Sequence, residues 1–109
     1  MAFYKLGSKF HNISRYNDAE ECFLKSIELN PNYCDTYLLY TELLRSARRN
    51  NEAEHYLFKV LELDPKNCQA YFRLGCIYDE FGRMSELEAI FLTARELDPI
   101  NCIRLLLFI

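Results

Sequence analysis

Pro31, Pro65 and Pro99 are all the prolines the chain has, and they stand 34 residues apart. Each closes a similar phrase: Ile27-Glu28-Leu29-Asn30-Pro31, Leu61-Glu62-Leu63-Asp64-Pro65 and Arg95-Glu96-Leu97-Asp98-Pro99. Cys34, Cys68 and Cys102 keep the same register, each three residues after its proline. A fixed period of this length marks an internal repeat, one supersecondary unit copied along the chain. Such a unit cannot shield its apolar side alone, so the period requires neighbours to stack. With 109 residues there is room for three units and the start of a fourth.

Within each period the apolar residues follow helical spacing twice. In the third unit Tyr71, Leu74, Gly75 and Tyr78 form one stripe and Leu87, Phe91, Ala94 and Leu97 another, with a break at Phe81-Gly82-Arg83-Met84. Gly82 suits the positive φ that ends the first helix. Ser85 with Glu88 fits a capping box for the second, and Pro99 stops it. The earlier breaks are Ser14-Arg15-Tyr16-Asn17, with Asn17 or Asp18 as the expected cap, and Arg49-Asn50-Asn51. The spacing predicts helices over 2–13, 17–29, 35–48, 52–63, 69–81 and 85–97. A composition 50% hydrophobic with only three glycines excludes disorder and collagen, and this length supports one continuous core.

With this period and these motifs the chain resembles the tetratricopeptide repeat (TPR) family, whose 34-residue signature combines an aromatic, Leu-Gly, Tyr, Ala, Phe and Pro. The first unit carries it as Phe3, Leu6-Gly7, Phe10, Ala19, Phe23 and Pro31, and the third as Tyr71, Leu74-Gly75, Tyr78, Phe91, Ala94 and Pro99. The middle unit keeps Tyr37, Ala53, Leu57 and Pro65 but has Tyr40-Thr41 and Leu44 in place of Leu-Gly and Tyr. The resemblance implies an all-α fold: a right-handed α-solenoid of three helix-turn-helix repeats, 1–33, 34–67 and 68–101, in a single domain 1–109 with an incomplete fourth unit at 102–109. Small residues should let the paired helices approach: Gly7 is expected to face Ala19 and Thr41 to face Ala53, while Leu87 fills the space that Gly75 leaves.

Residues suited to catalysis are sparse. His11 and His55 are single, and the Gly-x-Ser-x-Gly, His-Glu-x-x-His and glycine-rich phosphate patterns are missing. No enzyme activity, cofactor or metal is expected. Equivalent cysteines in stacked helix pairs should lie near 10 Å apart, too far for a disulfide or a zinc site. Five cysteines without a Cys-x-x-Cys pair are therefore expected as free thiols, which fits a cytoplasmic location, with the nucleus as alternative. A net charge of −3 disfavours nucleic acid as a partner. The apolar run Leu105-Leu106-Leu107-Phe108-Ile109 is far shorter than the roughly 20 residues of a membrane span.

Non-catalytic binding of another protein is what remains. The resemblance implies a concave groove, lined by the first helices, in which a peptide or a helix docks. One groove column reads Tyr4, Leu38 and Phe72, and the neighbouring ones supply His11 with Asn12, Glu42, Arg45, Arg73 and Asp79. Arg45 and Arg73 suit carboxylates, and Asp79 with Glu80 suits basic groups. The competing reading of the apolar column is packing between adjacent first helices. The carboxylate clamp of co-chaperone TPR domains would fall on Tyr4, Ser8, Leu38 or Leu39, Gln69 and Arg73, where only Arg73 matches, so chaperone tails are not the expected partner. Two other functions stay open: an assembly subunit that self-associates through the face around Leu87 to Leu97, and the targeting part of a larger enzyme.

Overall fold

The structure, a computed structural model, describes residues 3–97 and 100. Among these residues six α-helices are present and no strand: α1 (Phe3–Asn12), α2 (Tyr16–Leu29), α3 (Cys34–Ser46), α4 (Asn50–Leu63), α5 (Cys68–Glu80) and α6 (Met84–Leu97). Every boundary falls within two residues of the expectation. The proposed fourth unit at 102–109, Pro99 and Cys102 lie outside the described residues.

The joint inside each hairpin is the same three times over. Ser14, Arg48 and Gly82, one period apart, all adopt positive φ, at 65°, 62° and 66°. The N–H three residues past each helix reaches back to a carbonyl of its last turn: Arg15 to Phe10 at 2.9 Å, Arg49 to Leu44 at 2.8 Å and Arg83 to Tyr78 at 2.8 Å. The N–H groups of Ser14, Arg48 and Gly82 bond to His11, Arg45 and Asp79. This is a Schellman closure, which satisfies carbonyls that the helix end would leave orphaned.

The same joint begins the next helix, and here the expected caps are corrected. Neither Ser85 nor Asn17 caps its helix. The left-handed residue delivers the chain directly into α2, α4 and α6, so the position before each helix falls on Arg15, Arg49 and Arg83. Their Nε atoms donate to Asp18 at 2.9 Å, Glu52 at 3.0 Å and Glu86 at 2.8 Å. Asp18 thus serves as the partner of Arg15. Arg15 and Arg83 also lie over the rings of Phe10 and Tyr78, at 4.8 and 4.6 Å.

Between hairpins the prolines set a second repeated joint. The Tyr37 hydroxyl donates to the Pro31 carbonyl at 2.6 Å, and the Tyr71 hydroxyl to the Pro65 carbonyl at 2.9 Å. Before α5, Asn67 caps the helix by accepting the Ala70 N–H at 3.0 Å.

The chain divides into two compact units, Met1–Tyr56 and Leu57–Ile109, with α4 running from the first into the second. In the first unit α1, α2 and α3 pack together around Ala19, Phe23 and Tyr40. Phe23 and Tyr40 meet with ring centroids 5.9 Å apart, and Tyr40 meets Tyr56 at 5.1 Å. A Cβ at Gly7 would stand 2.9 Å from the Phe23 ring, so the nearest neighbour of this glycine is Phe23 rather than Ala19. Arg49 ties α2 to the α3–α4 joint by bonding Glu20 as well as Glu52. These two carboxylates push the Arg49 pKa up, and Arg49 holds the Glu52 carboxyl below its ordinary value. In the second unit Tyr71 and Ala94 are buried with Leu61, Cys68, Ile90 and Phe91 packed against them.

Candidate functional site

The first helices carry the residues that the sequence singles out. On α1, Tyr4 and His11 are half-buried and Asn12 is exposed. On α3, Glu42 and Arg45 are half-buried, whereas Leu38 is buried at 8% exposure, so this position contributes packing more than free surface. On α5, in the second unit, Phe72 and Arg73 are half-buried and Asp79 is exposed.

Geometry joins several of these in the first unit. His11 on α1 meets Ser46 at the end of α3, with Nε2 and Oγ 3.5 Å apart, and its ring packs on Tyr16 with centroids 5.6 Å apart. Ser46 in turn donates to the Glu42 carbonyl at 2.9 Å. His11 of α1 and Ser46 of α3 are therefore adjacent in space. At the other end of α1, Tyr4 packs on Tyr33 with centroids 5.2 Å apart and hydroxyls 3.4 Å apart.

Tyr33 belongs to this face and escaped the sequence reading. Its pKa is pushed up to about 12, first by the Tyr4 hydroxyl and then by desolvation. A signal existed: the repeat places Asn67 and Asn101 in this register, and only the first joint replaces asparagine by tyrosine. The change gives up a helix cap, since α3 starts without the side-chain bond that Asn67 supplies to α5.

On α5 the Arg73 guanidinium is held below its ordinary pKa by burial. A half-desolvated guanidinium binds a carboxylate more strongly than a solvated one, because less hydration is lost on contact. In the first unit Tyr4 and Tyr33 offer aromatic surface beside His11 and Arg45, a composition that suits holding a peptide. Among the described residues no group of three or more His, Cys, Asp or Glu is placed to hold a metal ion, and no helix is long and apolar enough to cross a membrane.

Among the described residues the cysteines differ from expectation at Cys68. Cys22, Cys34 and Cys76 are outside any disulfide, whereas Cys68 is disulfide-bonded. The expectation that helix stacking keeps every cysteine too far from the next therefore fails at Cys68.

Two family models, both described as tetratricopeptide repeat, match the chain, one over residues 1–33 and one over residues 22–55 and 56–89. Among solved structures the chain is similar to the first TPR domain of Spaghetti (RPAP3) bound to the HSP90 peptide SRMEEVD. The identity is 18% and the TM-score 0.80, over 97% of this chain and 86% of that one. It is similar also to the Arabidopsis OM64 TPR domain, at 26% identity and TM-score 0.77 over 98% and 93% of the two chains. The likeness to MamA reaches TM-score 0.82 at 26% identity, over 89% of this chain and 57% of that one. No curated protein sequence matches the chain.

Proposed function

Because the chain belongs to the tetratricopeptide repeat family, we propose that it is a non-catalytic interaction module whose first helices hold a peptide or helix of another protein. The observation that carries this reading is the mixed character of those helices. Half-buried aromatic side chains at Tyr4 and Phe72 share their helices with His11, Asn12, Arg73 and Asp79, and Glu42 with Arg45 completes the set on α3. Aromatic and guanidinium anchors among polar groups are the composition of binding hot spots. Peptide-bound relatives support it too: the Spaghetti domain binds an HSP90 peptide, and the second TPR domain of human RPAP3 was solved with the HSP70 peptide SGPTIEEVD. Here only Arg73 matches the residues that grip such acidic tails, so the partner peptide is of a different kind.

The test uses peptides selected from a random display library against the whole chain. Tyr4→Ala with Phe72→Ala should weaken the best peptide by about tenfold or more while far-ultraviolet circular dichroism stays helical. SRMEEVD should bind at least about tenfold more weakly than the selected peptide. Unchanged affinity in the double variant would overturn the reading. Leu38 is left intact because its truncation would open a cavity.

A second reading, an assembly face, rests on α6, where Met84 is 59% exposed and an open apolar cleft of about 280 Å³ is lined by Met84, Leu87, Glu88 and Phe91. Light scattering after chromatography decides it: a dimer abolished by Met84→Ser favours assembly.

A further inference from the structure

Peptide binding on the first helices leaves a pattern on the second helices unexplained. Leu24, Phe58 and Leu92 recur at the 34-residue period, one on each second helix, and remain 43%, 47% and 41% exposed. A solvated outer face gives no reason to keep a large apolar side chain at one register three times.

Around Leu24 the surface is concave as well. Phe3, Glu21, Cys22, Leu24, Lys25 and Glu28 line an open cleft of about 560 Å³, within the range that holds a bound group. Its rim is acidic. On α2, Asp18 and Glu20 are engaged by Arg15 and Arg49, while Lys25 stands 3.8 Å from Glu28 in a largely solvated pair. Glu21 has no ionic partner among the described residues. The field reaches the cleft itself, since the Cys22 thiol is raised first by burial and then by Glu21 and Asp18.

We propose that this cleft is a second docking site, for a basic amphipathic helix that seats one apolar side chain between Phe3 and Leu24 and sets a lysine or arginine against Glu21 and Glu28. Charge selects the occupant: an acidic segment would meet Glu21 with no counter-ion and Glu28 only partly neutralised by Lys25, whereas a helix with basic residues three and four places from its apolar anchor matches both features. The site uses none of the residues assigned to the first-helix face, so it stands or falls apart from that reading.

The probe is a synthetic helical peptide of leucine and lysine in amphipathic order, titrated into the isotope-labelled whole chain and followed by amide chemical shifts. Shifts centred on residues 21–28 are expected. Leu24→Ser should weaken binding about tenfold, and Glu21→Lys with Glu28→Lys should abolish it. Both substitutions are on exposed side chains, and Tyr4→Ala with Phe72→Ala should leave binding unchanged. A peptide whose leucines are replaced by serine should bind at least about tenfold more weakly. Equal binding of the serine peptide, or shifts scattered over the surface, would reveal diffuse charge attraction and overturn the proposal. A homodimer lost in Leu24→Ser would assign the cleft to a second copy of the chain and overturn it equally.

Discussion

Ser14, Arg48 and Gly82 hold one backbone conformation, and only glycine adopts it without steric cost. A non-glycine residue at this φ costs roughly 1–2 kcal/mol, and the freedom glycine adds to the unfolded chain returns about 0.4–1 kcal/mol of that. Arg48→Gly should therefore raise stability by roughly 0.5 kcal/mol, read as a higher urea midpoint at unchanged slope. At Gly82 a Cβ meets nothing within 4 Å, so Gly82→Ala reverses the same two effects without a clash and should lose roughly 0.5 kcal/mol. The tyrosines of the inter-hairpin joint give a second residue-scale test. Removing the Tyr71 hydroxyl leaves the Pro65 carbonyl without its donor, and Tyr71→Phe should cost about 1 kcal/mol. A neutral result in the same urea titration would mean that water replaces the bond.

At the scale of elements, α1 and α2 pack closely because Gly7 presents no side chain to the Phe23 ring. Phe23 is fully buried against Tyr40 and has little room to withdraw. Gly7→Ala gains about 1 kcal/mol of helix propensity but forces an overpacked contact costing typically 1–3 kcal/mol, so a net loss near 1 kcal/mol is expected, with a lower melting temperature. The helices themselves were legible from the sequence because apolar periodicity and the three Pro positions are direct consequences of packing. The joints were legible only where chemistry announces them. Gly82 declares a left-handed residue, whereas Ser14 and Arg48 take the same conformation under pressure from the Schellman bonds, which no residue type reveals. The misplaced caps at Ser85 and Asn17 follow from that, since an unrecognised left-handed residue moves the next helix start. At the candidate site His11 on α1 and Ser46 on α3 stand together. The burial of Leu38 depends on neighbours in space, and Tyr33 was overlooked because it departs from the repeat.

For the whole molecule, the repeat concentrates buried phenols, and this sets its response to alkali. Burial raises the pKa of Tyr37, Tyr40 and Tyr71, and Tyr33 is pushed up to about 12 with the Tyr4 hydroxyl as the leading cause. A phenol whose folded pKa lies above its unfolded value of about 10 contributes stability that is fully present below that pH and is lost as pH rises through the folded value. Thermal unfolding should therefore be flat from neutral pH to about 9 and fall steeply above about 10. Tyr37→Phe with Tyr71→Phe should make the decline shallower. A profile unchanged by this pair would place the titrating groups elsewhere.

Binding on the first helices is the claim on which the functional account turns, and it is tested most directly by mapping a selected peptide onto the isotope-labelled chain by amide chemical shifts. The account predicts saturable perturbations at Tyr4, His11, Glu42, Arg45, Phe72 and Arg73 on α1, α3 and α5. Perturbations confined to α2, α4 and α6 would contradict it.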